Sequence, residues 1–274
     1  MSRSTKKIKT LEDFFVYAIK NDKGFQKHCT QMMHGIISEA PMKESTLIRA
    51  LEMDIMTNRC RSQFESYTRW SILQHDNKGM AWKKKAIFSP DVDVRKSVFD
   101  DQASDIRFIQ NGLDDPHTDV RVAAACSEHI TEELVIKALS DTKKSVRISA
   151  ISNGELSNWE DAAVFAMADR SEEVRLTALK YSHYAIRGER GIRGGQGARA
   201  AVKVGVQDKN PKIRAWVAEN SQVLTEAQWC ALIQDPIRSV RQAAGKHPKA
   251  EKWSDPIRQL LRNAKAAKKK STNV

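Results

Sequence analysis

No apolar run in this sequence approaches the ~18 residues that a membrane-spanning helix needs, so none of it reads as a transmembrane segment. Its basic start, Met-Ser-Arg-Ser-Thr-Lys-Lys-Ile-Lys, has no apolar core behind it. That argues against a secretory signal peptide and makes the cytoplasm the expected compartment. Cysteine is scarce: Cys29, Cys60, Cys126 and Cys230 stand far apart, with no C-x-x-C pair. Zinc sites, iron–sulfur sites and a disulfide framework are therefore all unexpected, and the thiols read as small buried side chains. His28 and His34 are six residues apart, not the i, i+4 pair a metal would want on one helix face. The phosphate-cradling spacing G-x-x-x-x-G-K-[ST] is also missing. No metal and no cofactor is expected.

What is present is a repeat. Val-Arg or Ile-Arg pairs recur at Val94-Arg95, Val120-Arg121, Val146-Arg147, Val174-Arg175, Ile213-Arg214 and Val240-Arg241, with the arginines 26, 26, 28, 39 and 27 residues apart. A near-constant period in the twenties is the mark of stacked supersecondary units. Three more columns keep the register. Six residues before each arginine stands Asp115, Asp141, Asp169, Asp208 or Asp235, with Ser89 in the first unit. Two residues before that position is an apolar side chain: Ile87, Leu113, Leu139, Met167, Val206 or Ile233. Three residues after the arginine is a small or branched one: Val98, Ala124, Ala150, Ala178, Val217 or Ala244.

Asp and Ser are good helix N-caps, and Pro90, Pro116 and Pro236 follow them directly, where a first helical position tolerates proline. The apolar residues flanking each arginine are four apart and share one helix face. A second helix is expected in most units: Ser157-x-x-Glu160 and Thr225-x-x-Gln228 match the capping box, and Thr131 opens Glu132 to Leu139. Each unit is thus a short helix pair that buries its seam only by stacking on its neighbours. The low hydrophobic fraction, 41%, and high charged fraction, 29%, suit such a thin, extended body.

The pattern resembles the HEAT family, in which an aspartate and an arginine six residues later mark the second helix of each repeat; residues 87–250 carry the likeness. The 26- to 28-residue period is also similar to the leucine-rich variant repeat, without the cysteine cluster found beside it in some proteins. The resemblance implies an all-α, right-handed α-solenoid. It also implies that Asp115 with Arg121, and their equivalents, form a ladder between repeats. A further implication is the alkylated-base DNA glycosylase activity of some HEAT-like proteins, which places an aspartate close after a tryptophan. Trp70, Trp82, Trp159, Trp216, Trp229 and Trp253 are followed four residues on by no aspartate, which argues against it. Trp159 and Trp229 read instead as core.

Four regions are expected: a basic arm, 1–9; a helical region, 10–86, that is a cap or a separate binding module; the repeats, 87–262; and a basic tail, 263–274. In region 10–86, residues 11–19, 25–37, 45–56 and 64–73 have helical spacing. The 39-residue interval hides a Gly/Arg-rich insertion, 187–199, read as a flexible loop.

Charge is unevenly placed. Of the net +12, residues 1–9 hold +4 and residues 246–274 hold +7, leaving +1 for residues 10–245. The insertion holds +3, so the rest of the body is slightly acidic. Candidate nucleic-acid-binding residues are Arg187, Arg190, Arg193 and Arg199 in the insertion and Lys265, Lys268, Lys269 and Lys270 in the tail, with Lys83-Lys84-Lys85 as a possible addition. The expectation is a non-enzymatic scaffold that binds nucleic acid or a nucleoprotein complex. The alternative is a protein–protein adaptor or inhibitor with an acidic partner in its concave groove.

Overall fold

The computed structural model describes residues 44–51, 69, 73, 78–99, 105–152, 156, 158–187 and 195–251. Every regular element among them is helical: α1 (Glu44–Ala50), α2 (Met80–Ala86), α3 (Val92–Lys96) with a 3-10 turn (Ser97–Phe99), α4 (Ile106–Leu113), α5 (Thr118–Ala125), α6 (Glu132–Leu139), α7 (Lys144–Ile151), α8 (Glu160–Met167), α9 (Glu172–Arg187), α10 (Gln196–Gly205), α11 (Pro211–Asn220), α12 (Glu226–Ile233) and α13 (Arg238–Gly245). None of the described helices is long and apolar enough to cross a membrane. The expected helices over 11–19 and 25–37 lie outside the described residues; of 64–73 only Arg69 and Leu73 are described, both helical.

The chain forms two compact units, Met1–Thr131 and Glu132–Val274. In the first, α1 packs on α2, α3 on α5, and α4 on α5. In the second, the helices pair as α6 with α7, α8 with α9, α10 with α11 and α12 with α13. First helices meet first helices (α6 with α8, α8 with α10), and second helices meet second helices in the order α7, α9, α11, α13. An eight-residue helix is only about 12 Å long and too short to hold alone, so this packing is what stabilises each one.

The sequence columns mark that packing. Val94, Val120, Val146, Val174, Ile213 and Val240 are all fully buried, and so are Val98, Ala124, Ala178, Val217 and Ala244 three residues past each arginine. Alanine there admits close helix approach. Gly112 does the same on α4: a Cβ would fall 2.3 Å from Phe99 Cζ and 2.7 Å from the Ala124 Cβ.

The starts of the second helices differ from the sequence reading. Asp115, Asp141, Asp169, Asp208 and Asp235 are not the N-caps. Each stands two residues earlier, and its Oδ1 accepts the backbone N–H of the true cap: His117, Lys143, Ser171, Asn210 and Ile237, at 2.7–2.8 Å. Ser89 does the same for Asp91 through its hydroxyl, at 3.2 Å. Pro116 and Pro236 therefore precede the cap; the proline at a first helical position is Pro211. A local Asx turn competes well with capping for a short carboxylate, and it leaves the second oxygen free.

The capping box at Thr225 and Gln228 is present. The one expected at Ser157 falls on a residue outside the described ones; α8 starts after Trp159, whose side chain makes no cap bond. Instead Glu132, in the first turn of α6, accepts the N–H of Ala162 at 3.1 Å. Glu44 serves Trp82 in the same way at 3.0 Å, so a glutamate from an earlier helix caps a later one twice. Trp159 is only half-buried, whereas Trp229 is in the core with its Nε1–H donating to Ala244 O at 2.8 Å. Cys126 is exposed and Cys230 half-buried, not the buried thiols expected.

Candidate nucleic-acid interface

The arginine column is a set of cations in fixed register. Four of its arginines, Arg95, Arg147, Arg175 and Arg214, split their donors between two repeats. Nη1 turns back to its own repeat and donates to two backbone carbonyls, as Arg147 does to Asp141 O at 2.9 Å and Thr142 O at 3.2 Å. Nε and Nη2 form a planar fork toward the next repeat's aspartate. Arg95 grips Asp115 (2.7 and 3.0 Å), Arg147 grips Asp169 (2.6 and 3.2 Å), Arg175 grips Asp208 (2.7 and 3.0 Å) and Arg214 grips Asp235 (2.7 and 3.1 Å). Such two-point pairing is the geometry that arginine offers and lysine does not.

The pairing is therefore not between the members of one Asp–Arg motif. Asp115 and Arg121 meet through a backbone carbonyl, Arg121 Nη1 to Asp115 O at 3.0 Å, while the Asp115 carboxylate belongs to Arg95. Hydrogen bonding to Asp208 and Asp235 raises Arg175 and Arg214 above the ordinary guanidinium range. Arg214 in turn holds the Asp235 carboxyl below the usual carboxylate range, against the opposing pull of burial. The side chains of these four arginines are only 4–13% exposed, so they are closed to a large ligand.

Arg69 had no signal in the Val-Arg column, yet it too reaches forward to acids, through Nη2 alone rather than a fork. Its Nη2 donates to Asp91 at 2.5 Å and Asp93 at 3.0 Å, 22 and 24 residues on. The column position there is Ser89, which has no carboxylate, so the acid comes from two residues later. The arginine-to-acid spacing of 20 to 22 residues would have found it; the dipeptide could not.

Of the predicted binding residues, Arg190, Arg193, Lys265, Lys268, Lys269 and Lys270 lie outside the described residues. Arg187 is the last residue of α9. Arg199 is not in a loop: it is exposed in the first turn of α10, which begins at Gln196. The insertion is partly helix, since α9 runs 16 residues where α7 and α13 run eight. Lys83 is buried at 2% exposure and presents no charge to solvent; Lys84 and Lys85 are exposed.

Two sets of exposed cations were missed. On α10, Lys203 stands one turn after Arg199 on the same exposed stripe. Lys203, Gln207 and Lys209 then border a cleft of about 590 Å³ between α8 and α10, opposite Val164 and Glu160, with the Arg175–Asp208 pair also in its wall. The other set follows the aspartates. The turn after each one in the second unit carries an exposed base: Lys143, Arg170, Lys209 and Arg238. Lys144 and Lys212 lie beside them but are engaged by Glu173 and Glu172. The signal was available in the sequence as a base one to three residues after each aspartate.

Among the described residues no group of three or more His, Cys, Asp or Glu side chains could hold a metal ion. No family model, curated protein or solved structure matches the chain.

Proposed function

We propose that this chain is a non-enzymatic binding scaffold, an α-solenoid of HEAT-like repeats that holds nucleic acid or a nucleoprotein complex along a basic edge. One observation carries the reading: each repeat of the second unit places one exposed cation, Lys143, Arg170, Lys209 or Arg238, at the same turn. Packed helices lie about 8–10 Å apart, so the row repeats at that interval. The N-termini of α7, α9, α11 and α13 open at those turns and add their partial positive charge. Arg199 and Lys203 extend the row from beside the Gly/Arg segment, and the basic ends add sequence-independent attraction. Positive charge at a regular interval suits phosphate contact.

The test is binding of the full chain to labelled single-stranded DNA, RNA and duplex across a salt series. Affinity should fall steeply with salt. It should drop at least tenfold when Lys143, Arg170 and Lys209 become Glu together, and further when 188–194 becomes Gly/Ser and 263–274 is removed. Absence of binding at low salt by the unaltered chain would sink the proposal.

A further inference from the structure

The ladder has an unmatched end. Arg241 on α13 adopts the same posture as the other column arginines: its Nη1 donates to Asp235 O at 2.6 Å and Pro236 O at 2.8 Å. Those bonds hold the guanidinium as they do at Arg95, Arg147, Arg175 and Arg214. There the other edge, Nε and Nη2, takes a carboxylate. Among the described residues no hydrogen bond or ion pair reaches that edge of Arg241, and the residue is exposed.

The sequence carries no acid at the ladder spacing after Arg241. The regular arginine-to-acid spacing is 20 to 22 residues. Counting 22 from Arg241 reaches Asn263, and two residues earlier stands Leu261, the apolar residue of the register. Counted in sequence, the position that is a carboxylate in the other repeats is an amide here. An amide offers one acceptor oxygen, no charge and a donor group facing donors.

We infer that the Nε/Nη2 edge of Arg241 is a docking point for an aspartate or glutamate side chain of an acidic protein partner. Three features specify the occupant. The same fork, in the same backbone setting, selects carboxylate four times within this chain. Helix α13 has no acidic residue, so nothing on it competes for the edge. Ile237, one turn before Arg241 on the same side, is 41% exposed and offers an apolar contact beside the charge. The partner segment is therefore acidic with a neighbouring apolar side chain. Arg238 of the basic row lies one turn before Arg241 on the same helix, so the two readings differ in chemistry: a carboxylate on the arginine fork here, phosphate along the row there.

The probe is a fluorescein-labelled dodecapeptide of alternating Glu and Leu, titrated by anisotropy with the full chain at low ionic strength. A matched Gln/Leu peptide and labelled oligothymidylate are run in parallel. The Glu/Leu peptide should bind at least fivefold tighter than the Gln/Leu one, and Arg241→Ala should remove that margin. Because Arg241→Ala also removes two carbonyl bonds, Asn263→Asp is the second variant. It leaves Arg241 intact, restores a carboxylate to the sequence register, and should raise the melting temperature while blocking the peptide. That gain should vanish when Arg241→Ala is added. An equal affinity for both peptides, an unchanged Glu/Leu margin in Arg241→Ala, or loss of oligothymidylate binding alone would overturn the inference.

Discussion

Arg175 and Asp208 are joined by two hydrogen bonds, of 2.7 and 3.0 Å, across 33 residues of sequence. The other forked pairs span 20 to 22 residues. The extra length is taken up by the long helix α9 and the Gly/Arg segment, and the rung still closes. The repeat therefore tolerates an insertion after its second helix because the rung bonds only the ends of what is inserted.

Both members of that pair have side chains just 4% exposed. Leaving one buried charge without its partner costs about 3–5 kcal/mol. Arg175→Ala should lower stability by that order, and Asp208→Ala by a similar amount. The double variant should cost clearly less than the sum, since neither charge is then stranded. Urea denaturation followed by circular dichroism measures all three; simple additivity would show that the pair is not coupled.

The columns were legible in the sequence because burial forces them. The position before each arginine must be apolar and the one three residues after it small or branched, and both stand out as periodic letters. Helix starts were less legible. Asp caps helices and forms Asx turns, and Ser does the same more weakly through its hydroxyl, so only the backbone path distinguishes Asp115 before His117 from a true cap. Trp159 was misread for a related reason: an aromatic at apolar spacing can stand at a helix entrance as well as in a seam. The sequence also gave no hint of which arginine pairs with which acid, because the near member of the motif is reached through its carbonyl and the far one through its carboxylate.

Two glycines at the ends of helices should respond oppositely to the same change. Gly112 lies near the end of α4, against Phe99 and Ala124 at distances no Cβ can keep. Gly112→Ala should therefore destabilise by about 1–3 kcal/mol through overpacking, despite the better helix propensity of alanine. Gly245, the last residue of α13, has nothing within 4 Å of an added Cβ. Gly245→Ala should stabilise by about 0.5–1 kcal/mol. Matching signs in denaturant titrations would contradict the packing described around Gly112.

Acid should loosen the ladder at Asp235. Its folded carboxyl lies below the ordinary range because Arg214 donates to it, helped by the N–H of Ile237. A group depressed on folding contributes stability that is fully present above its unfolded value, about 3.9, and lost as pH falls through the lower folded value. The melting temperature should hold from pH 7 to about 5 and fall below about 4. Asp235→Asn should start lower at pH 7 and fall less between pH 4 and 3. Parallel curves for the two proteins would mean that Asp235 contributes nothing to the acid transition.

Stability and binding should separate by residue, because buried and exposed cations sit only a few positions apart in each repeat. Arg147 has a side chain 5% exposed and spends its donors on Asp169, Asp141 and Thr142. Lys209, in the turn after Asp208, is exposed. Arg147→Ala should lower the melting temperature and leave the salt slope of nucleic-acid binding unchanged in the folded fraction. Lys209→Ala should leave melting within about 0.5 kcal/mol of the unaltered chain and reduce the slope of log affinity against log salt by about one. The two measurements read different physics: the first a buried pair losing its partner, the second a counterion no longer released. If Arg147→Ala lost binding with melting intact, the column would be a ligand site rather than a structural one. If Lys209→Ala changed neither slope nor affinity, phosphate would not lie along that row of turns.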